Sequence, residues 1–183
     1  MWQSCLDKMK NRAIIDSGVK KMEKQLTIVP QQIKTCAFTG HRELGYDFSA
    51  KTFEKEIAEL IERGAEIFYN GMARGFDLFA AETVLKLKKK YPQIKLVACV
   101  PCLEQEKGFS ERDKTRYKKI LSKADKKVVL SEYYYSGCML ARNRYMADRA
   151  DVLVAYCKKQ TGGTAYTVEY FRKKYPSREI IFL

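Results

Sequence analysis

The sequence predicts an α/β fold: a three-layer sandwich with a mainly parallel sheet. Six short β-rich runs alternate with helix-like segments, and their starts lie 25 to 32 residues apart. A strand, a crossover helix and two loops need about 30 residues. The runs are apolar almost throughout, as in DVLVAY, which suits strands covered on both faces. Strict alternation implies parallel strands joined by right-handed crossovers.

The first run, KTCAFTG, begins at Lys34. Between Ser49 and Arg63, Phe53, Ile57, Leu60 and Ile61 fall at helical spacing, with Ser49 as N-cap and Gly64 as the stop. AEIFYNG follows from Ala65, then a helix over Phe76–Tyr91 that places Phe76, Phe79, Ala80, Val84 and Leu87 on one side. Lys88 to Lys90 suit its C-terminal dipole. IKLVACV starts at Ile94, a helix covers Arg112–Lys123, and KKVVLS starts at Lys126. Helices over Cys138–Ala150 and Thr164–Lys174 bracket DVLVAY, and EIIFL closes the chain from Glu179. Residues 34–183 thus read as one Rossmann-like domain. Residues 1–33, with 6 basic and 3 acidic side chains, read as a basic extension, helical or loose.

The chain has 183 residues, enough for one domain and hardly for two. A hydrophobic fraction of 46% against 31% charged residues supplies a core and excludes wholesale disorder. No apolar stretch is long enough to span a bilayer, and charges break up Met1 to Lys24, so no membrane partner and a cytoplasmic location are expected. The formal net charge of +13 points to an anionic partner without naming it. Residues 86–127 hold 14 basic and 5 acidic residues, a density that also fits solvated helix faces. The six cysteines read as reduced, partly buried thiols. Cys99-Val100-Pro101-Cys102 has redox spacing but ends a predicted strand, and a single histidine leaves too few obvious zinc ligands. No metal or cofactor is therefore expected.

In such a sheet ligands bind beyond the carboxyl ends of the strands, beside the switch point. Three turns there are unusual. Thr39-Gly40-His41-Arg42 follows the first strand, with a glycine for close approach and an arginine that can fork onto phosphate. Asn70-Gly71-Met72-Ala73-Arg74-Gly75-Phe76-Asp77 follows the second. Its strand-to-helix amides favour an anion, while Asp77 either faces the ligand or stabilises the first helical turn. It is neither a Walker A motif nor G-x-G-x-x-G. Thr161-Gly162-Gly163-Thr164 opens a helix carrying Glu169, again a pattern suited to phosphate. On the fourth helix Met139, Arg142 and Met146 share a face, and Arg144 does not share it with Arg142.

The segments TGHR, NGMARGFDLFAAE, CMLARNRYMAD and TGGTAYTVEY, in this order, resemble the YpsA-like family of the SLOG superfamily. The resemblance spans nearly all of residues 34–183 and implies a Rossmann-like domain with a nucleotide-derived ligand. SLOG also looks related to the lonely-guy phosphoribohydrolases, with patterns M-x-x-R-K-x-x-M and P-G-G-x-G-T-x-x-E. Met139, Arg142 and Met146 match the first, with Asn143 in place of Lys; Gly162, Gly163 and Glu169 match the second. Ala165 and Tyr166 replace Gly-Thr, and Gln160-Thr161 replaces the approach through Pro. This relation implies Arg142 and Glu169 as a catalytic pair, with an altered phosphate loop.

The leading expectation is therefore a nucleotide-binding sensor or regulator. Its ligand would rest on Gly40, His41, Arg42, Gly71, Arg74, Gly75, Asp77, Asn143, Gly162, Gly163 and Thr164. An N-glycosidic hydrolase of nucleoside 5′-monophosphates is the alternative: a carboxylate would stabilise the positive charge that builds on the ribose. A nucleic-acid partner is the less favoured third reading, prompted by the DNA-processing protein DprA, another SLOG-type protein, and by the Tyr133–Tyr135 cluster. A homo-oligomer is compatible with the sequence.

Overall fold

Parallel pairing runs through all six strands of the computed structural model, which describes residues 32–183. The predicted N-terminal extension lies outside the described residues apart from its last two positions. The elements are β1 (Thr35–Gly40), α1 (Ala50–Glu62), β2 (Ile67–Asn70), α2 (Phe76–Leu87) and β3 (Lys95–Val100). A 3-10 turn (Gln105–Gly108), α3 (Glu111–Leu121), β4 (Lys126–Val129), α4 (Cys138–Ala147), β5 (Val152–Tyr156), α5 (Gly163–Lys174) and β6 (Glu179–Phe182) complete the chain. The strand order is β4-β3-β2-β1-β5-β6. The α/β, Rossmann-like expectation holds.

Local chemistry sets the element ends. The Ser49 hydroxyl accepts the Thr52 N–H at 3.2 Å, and Gly64 ends α1 in the left-handed region. α2 stops at Leu87, short of the predicted Tyr91. Pro92 disfavours helical backbone at Tyr91, and Lys88–Lys90 form a turn whose amides bond back to Val84, Lys86 and Leu87. α4 stops at Ala147 rather than Ala150, where Arg149 and Ala150 tighten into i→i−3 bonds to Met146 and Ala147.

Strand alternation splits the core. On β1, Cys36 and Phe38 join the apolar layer under α1, α2 and α3, while Ala37 joins the layer under α4 and α5. Phe38 is the hub of the first layer. Its ring lies 6.0 Å from both Phe53 and Phe68, and Phe53 lies 5.4 Å from Phe76. Burying each such ring contributes about 1.5–3 kcal/mol. These contacts dock α1 and α2 against β1.

The chain winds outward from β1 to β4, α4 carries it back across the other face, and β5 and β6 extend the sheet from the far side of β1. β1 and β5 therefore form the switch point. Their starts are pinned by Asp151, whose Oδ2 accepts the Lys34 N–H at 3.0 Å, the Thr35 N–H at 2.9 Å and the Thr35 hydroxyl at 2.8 Å. No described helix is long and apolar enough to cross a membrane. Asp151→Ala should lower the unfolding free energy by about 2 kcal/mol in a urea titration, since it strips several charge-assisted bonds from one strand start. A loss below about 0.5 kcal/mol would contradict that role.

Candidate functional site

A cleft of about 1060 Å³ opens at the carboxyl ends of β1 and β5, where doubly wound sheets bind ligands. Gly40, His41 and Arg42 line it from the β1 loop, and Arg74 and Asp77 from the β2–α2 junction. Arg142 and Asn143 line it from α4, and Gly162, Gly163 and Thr164 from the start of α5. Three residues singled out in the sequence stand apart from its walls: Gly71, Gly75 and Glu169.

The β1 loop is tied down on two sides. The His41 carbonyl accepts the Phe76 N–H at 3.1 Å, capping α2. Gly75 makes this possible with φ +78°, and a Cβ there would lie 2.3 Å from the Arg42 carbonyl oxygen. On the other side, His41 Nε2 accepts the Lys158 N–H at 2.7 Å. The imidazole must then be neutral, and burial with the nearby Lys159 lowers its pKa in that direction. Tyr156, at the end of β5, accepts the Gly45 N–H at 2.9 Å through its hydroxyl and donates to Asp47 Oδ1 at 3.0 Å. Lys158 Nζ completes this set, 2.8 Å from Asp47 Oδ2. Sequence reasoning missed Tyr156, Asp47 and Lys158. The available signal was a tyrosine at the carboxyl end of a buried strand, where its ring packs and its hydroxyl meets the crevice.

The β2–α2 junction proves to be an internal clamp. Asn70 Oδ1 accepts the Met72 N–H at 2.8 Å, and its Nδ2 donates to the Asp77 carbonyl at 2.8 Å. Asp77 Oδ2 accepts the Ala73 N–H at 3.2 Å. With His41 holding Phe76, the Met72, Ala73 and Phe76 amides are already engaged. Gly71 and Gly75, expected from the sequence to contact a ligand, lie behind the cleft wall and shape this clamp. The Arg142 guanidinium packs onto Gly71, where a Cβ would fall 2.1 Å from Nη1. Arg142 Nη1 lies 3.9 Å from Asp77 Oδ2, a loose ion pair with both side chains buried. Burial pushes the Asp77 carboxyl up to about 6, against the pull of Arg142. Burial likewise lowers the guanidinium pKa. Arg142 Nη1 has no hydrogen-bond partner among the described residues.

Arg142 is wired to the start of α5. Its Nε donates to Asn143 Oδ1 at 2.8 Å, and Asn143 Nδ2 donates to Thr167 Oγ1 at 2.8 Å. The Thr167 hydroxyl donates to the Gly163 carbonyl at 2.7 Å. A lysine at position 143 could not accept from Arg142. Gly162, the N-cap of α5, has no side chain to cap the helix, so its first amides face the cleft. Arg42, Arg74 and Lys159 also line the cleft, and no carboxylate among the described residues lies within ion-pair distance of them. Arg144 is exposed and donates to the Tyr166 hydroxyl at 2.8 Å. Glu169 is exposed on α5, paired with Lys173 at 2.6 Å. The C-x-x-C thiols are buried, and burial pushes Cys99 up to about 12, far from a reactive thiolate.

The YpsA family model, described as the YspA SLOG family, matches residues 36–181, which carry every element of the cleft. The chain belongs to the YspA SLOG family. A UPF0398 protein of Halalkalibacterium halodurans is 32% identical over 154 residues, covering 82% of each chain. One from Bacillus thuringiensis is 28% identical over 155 residues, 78% of this chain and 84% of the relative. Among solved structures, DNA processing protein A (DprA) of Streptococcus pneumoniae superposes with a TM-score of 0.60 at 22% identity, over 82% of this chain. DprA of Helicobacter pylori gives 0.56 at 22% identity, over 81% of this chain. The YspA SLOG chain spans about half of the pneumococcal protein (50%) and 65% of the Helicobacter one, and these likenesses show a shared fold.

The buried pair of this YspA SLOG protein should be visible in its stability. Asp77 titrates near 6 when folded and near 3.8 when unfolded. Between these values the folded state holds a proton that the unfolded state releases, so stability is present below about pH 3.8 and lost as pH rises through about 6. Asp77→Asn keeps an acceptor for Ala73 but cannot ionise. Its stability relative to the parent should therefore rise from pH 4 to 6 and level off above. A difference that stays constant with pH in urea titrations would refute the assignment.

Proposed function

We propose that this protein binds a phosphate-bearing nucleotide or nucleotide-derived ligand in the β1/β5 crevice and acts as a sensor or regulator. The observation that carries this reading is a buried arginine, Arg142, with an unpartnered Nη1 beside the uncapped amino end of α5. A buried donor of that strength left without a hydrogen bond is costly unless a ligand completes it. Helix amides at Gly163 and Thr164, with Arg42, Arg74 and Lys159 around them, favour an anion. The cleft volume of about 1060 Å³ accommodates a nucleotide.

Turnover has less support. The carboxylate that the phosphoribohydrolase pattern would use, Glu169, is held by Lys173 outside the cleft walls. The carboxyl nearest Arg142 is Asp77, which burial holds toward its neutral form. Nucleic acid is the second reading. The Helicobacter pylori DprA with this fold binds single-stranded DNA, and Tyr133, Tyr134 and Tyr135 are exposed here at 78%, 71% and 49%. Exposed aromatic rings can stack on bases, but no cluster of cations accompanies them in the β4–α4 loop.

Calorimetric titration with AMP, NAD and ADP-ribose tests the proposal. At least one should bind, and Arg142→Ala should weaken it by about 1.5–3 kcal/mol, the range for a hydrogen bond to a charged group. Circular dichroism checks that the variant is folded. Binding unaffected by the substitution would contradict the assignment. Release of free base from a nucleoside monophosphate would favour the hydrolase, and tight single-stranded DNA binding that survives physiological salt would favour the nucleic-acid reading.

A further inference from the structure

Two buried side-chain atoms among the described residues lack a hydrogen-bond partner: Arg142 Nη1 and Gln105 Oε1. Both residues line the cleft, and both touch the same turn. The Arg142 guanidinium lies against the Cα of Gly71, and Gln105 Nε2 donates to the Gly71 carbonyl at 3.1 Å. Gln105 comes from the loop after β3. Glu104, in the left-handed region at φ +64°, turns the chain into it.

The bond to Gly71 fixes which end of the amide is offered. A flipped Gln105 would set its oxygen against the Gly71 carbonyl, so the amide presents an acceptor to its surroundings. Arg142 presents a donor and can never accept. Behind the cleft lining, one buried acceptor and one buried donor are therefore left unfilled. A phosphate oxygen would satisfy Arg142 but repel the Gln105 oxygen. An apolar group would satisfy neither. A hydroxyl accepts from one and donates to the other.

We propose that Gln105 and Arg142 together read a sugar hydroxyl of the ligand, so that the cleft selects ribonucleotides over their deoxy counterparts, with Gln105 as a specificity-determining residue. The proposal rests on the nucleotide reading above and divides the cleft into two ends. The phosphate lies toward α5, and the ribose lies against Gln105 and Arg142. A site built to bond a hydroxyl rejects the analogue lacking it, because its own buried polar atoms are then left unpaired.

The test is calorimetric titration of the full chain with the four common ribonucleoside 5′-monophosphates and their 2′-deoxy and 3′-deoxy counterparts. Ribose 5-phosphate and 2-deoxyribose 5-phosphate serve as base-free probes. At least one ribonucleotide should bind tenfold or more tightly than one of its deoxy forms. Gln105→Met, which keeps the length and removes both polar atoms, should abolish that preference while changing deoxynucleotide affinity less than twofold. Its melting temperature checks that the variant is folded, since the substitution also removes the bond to the Gly71 carbonyl. Equal affinity for the ribo and deoxy forms, or a preference that survives Gln105→Met, would overturn the inference and leave nucleotide binding standing. If a preference among nucleotides vanishes with the base-free pair, the Gln105 oxygen reads a base edge and the hydroxyl assignment is wrong. Absence of binding by every nucleotide would remove the nucleotide reading and this inference with it.

Discussion

The guanidinium of Arg142 lies on the bare Cα of Gly71, and the geometry of the cleft follows from that contact. Arg142 comes from α4, on one face of the sheet; Gly71 follows β2, and the next helix packs on the other. Any side chain at position 71 would occupy the space of Nη1. The contact brings a charge into a site sheltered from water, beside a carboxyl 3.9 Å away that is only partly able to neutralise it. Buried charges of this kind are weak sources of stability. Their retention at a strand end, facing an open cleft, is understandable when something else completes them.

Other bonds around the crevice hold its walls in place without entering it. His41 bridges from the cap of α2 to the β5 loop, using its carbonyl on one side and its neutral ring on the other. Tyr156 and Lys158 converge on Asp47 and fasten the loop between β1 and α1. The run from Arg142 through Asn143 and Thr167 to Gly163 fixes the start of α5. Each link joins segments from different crossover units, so the amino end of α5, Arg142 and the β1 loop are positioned relative to one another before any ligand arrives. Such preorganisation lowers the ordering cost of binding.

The architecture was legible because it rests on local signals. DVLVAY reads as a strand covered on both faces, and Ser49 and Gly64 mark the ends of α1 where the capping geometry places them. Most of the residues that the sequence offers for a site line one cleft; how they are bonded there was not legible. Gly71-Met72-Ala73-Arg74-Gly75 looks like an anion cradle when only neighbouring residues are considered. Within it the Met72 amide is taken by Asn70 and the Ala73 amide by Asp77, and the Phe76 amide just beyond is taken by His41, which comes from another strand's loop. Glu169 fits a motif by spacing, yet the helix phase turns it toward Lys173. Gln105 belongs to no motif; its part emerges only when the chain folds back to offer it the Gly71 carbonyl. Long-range pairing decides these cases, and spacing along the chain does not encode it.

In the proposed complex an anionic ligand meets the open end of α5, and the Met72, Ala73 and Phe76 amides of the β2–α2 clamp keep their present bonds. Backbone amide chemical shifts of the isotopically labelled protein, followed during titration with ADP-ribose, test it most directly. The amides of Gly40, Gly163 and Thr164 should move with a common saturation curve, while those of Met72, Ala73 and Phe76, already bonded within the clamp, should shift far less. Saturable shifts centred on Ala73 and Phe76, or confined to the basic segment of residues 86–127, would contradict it.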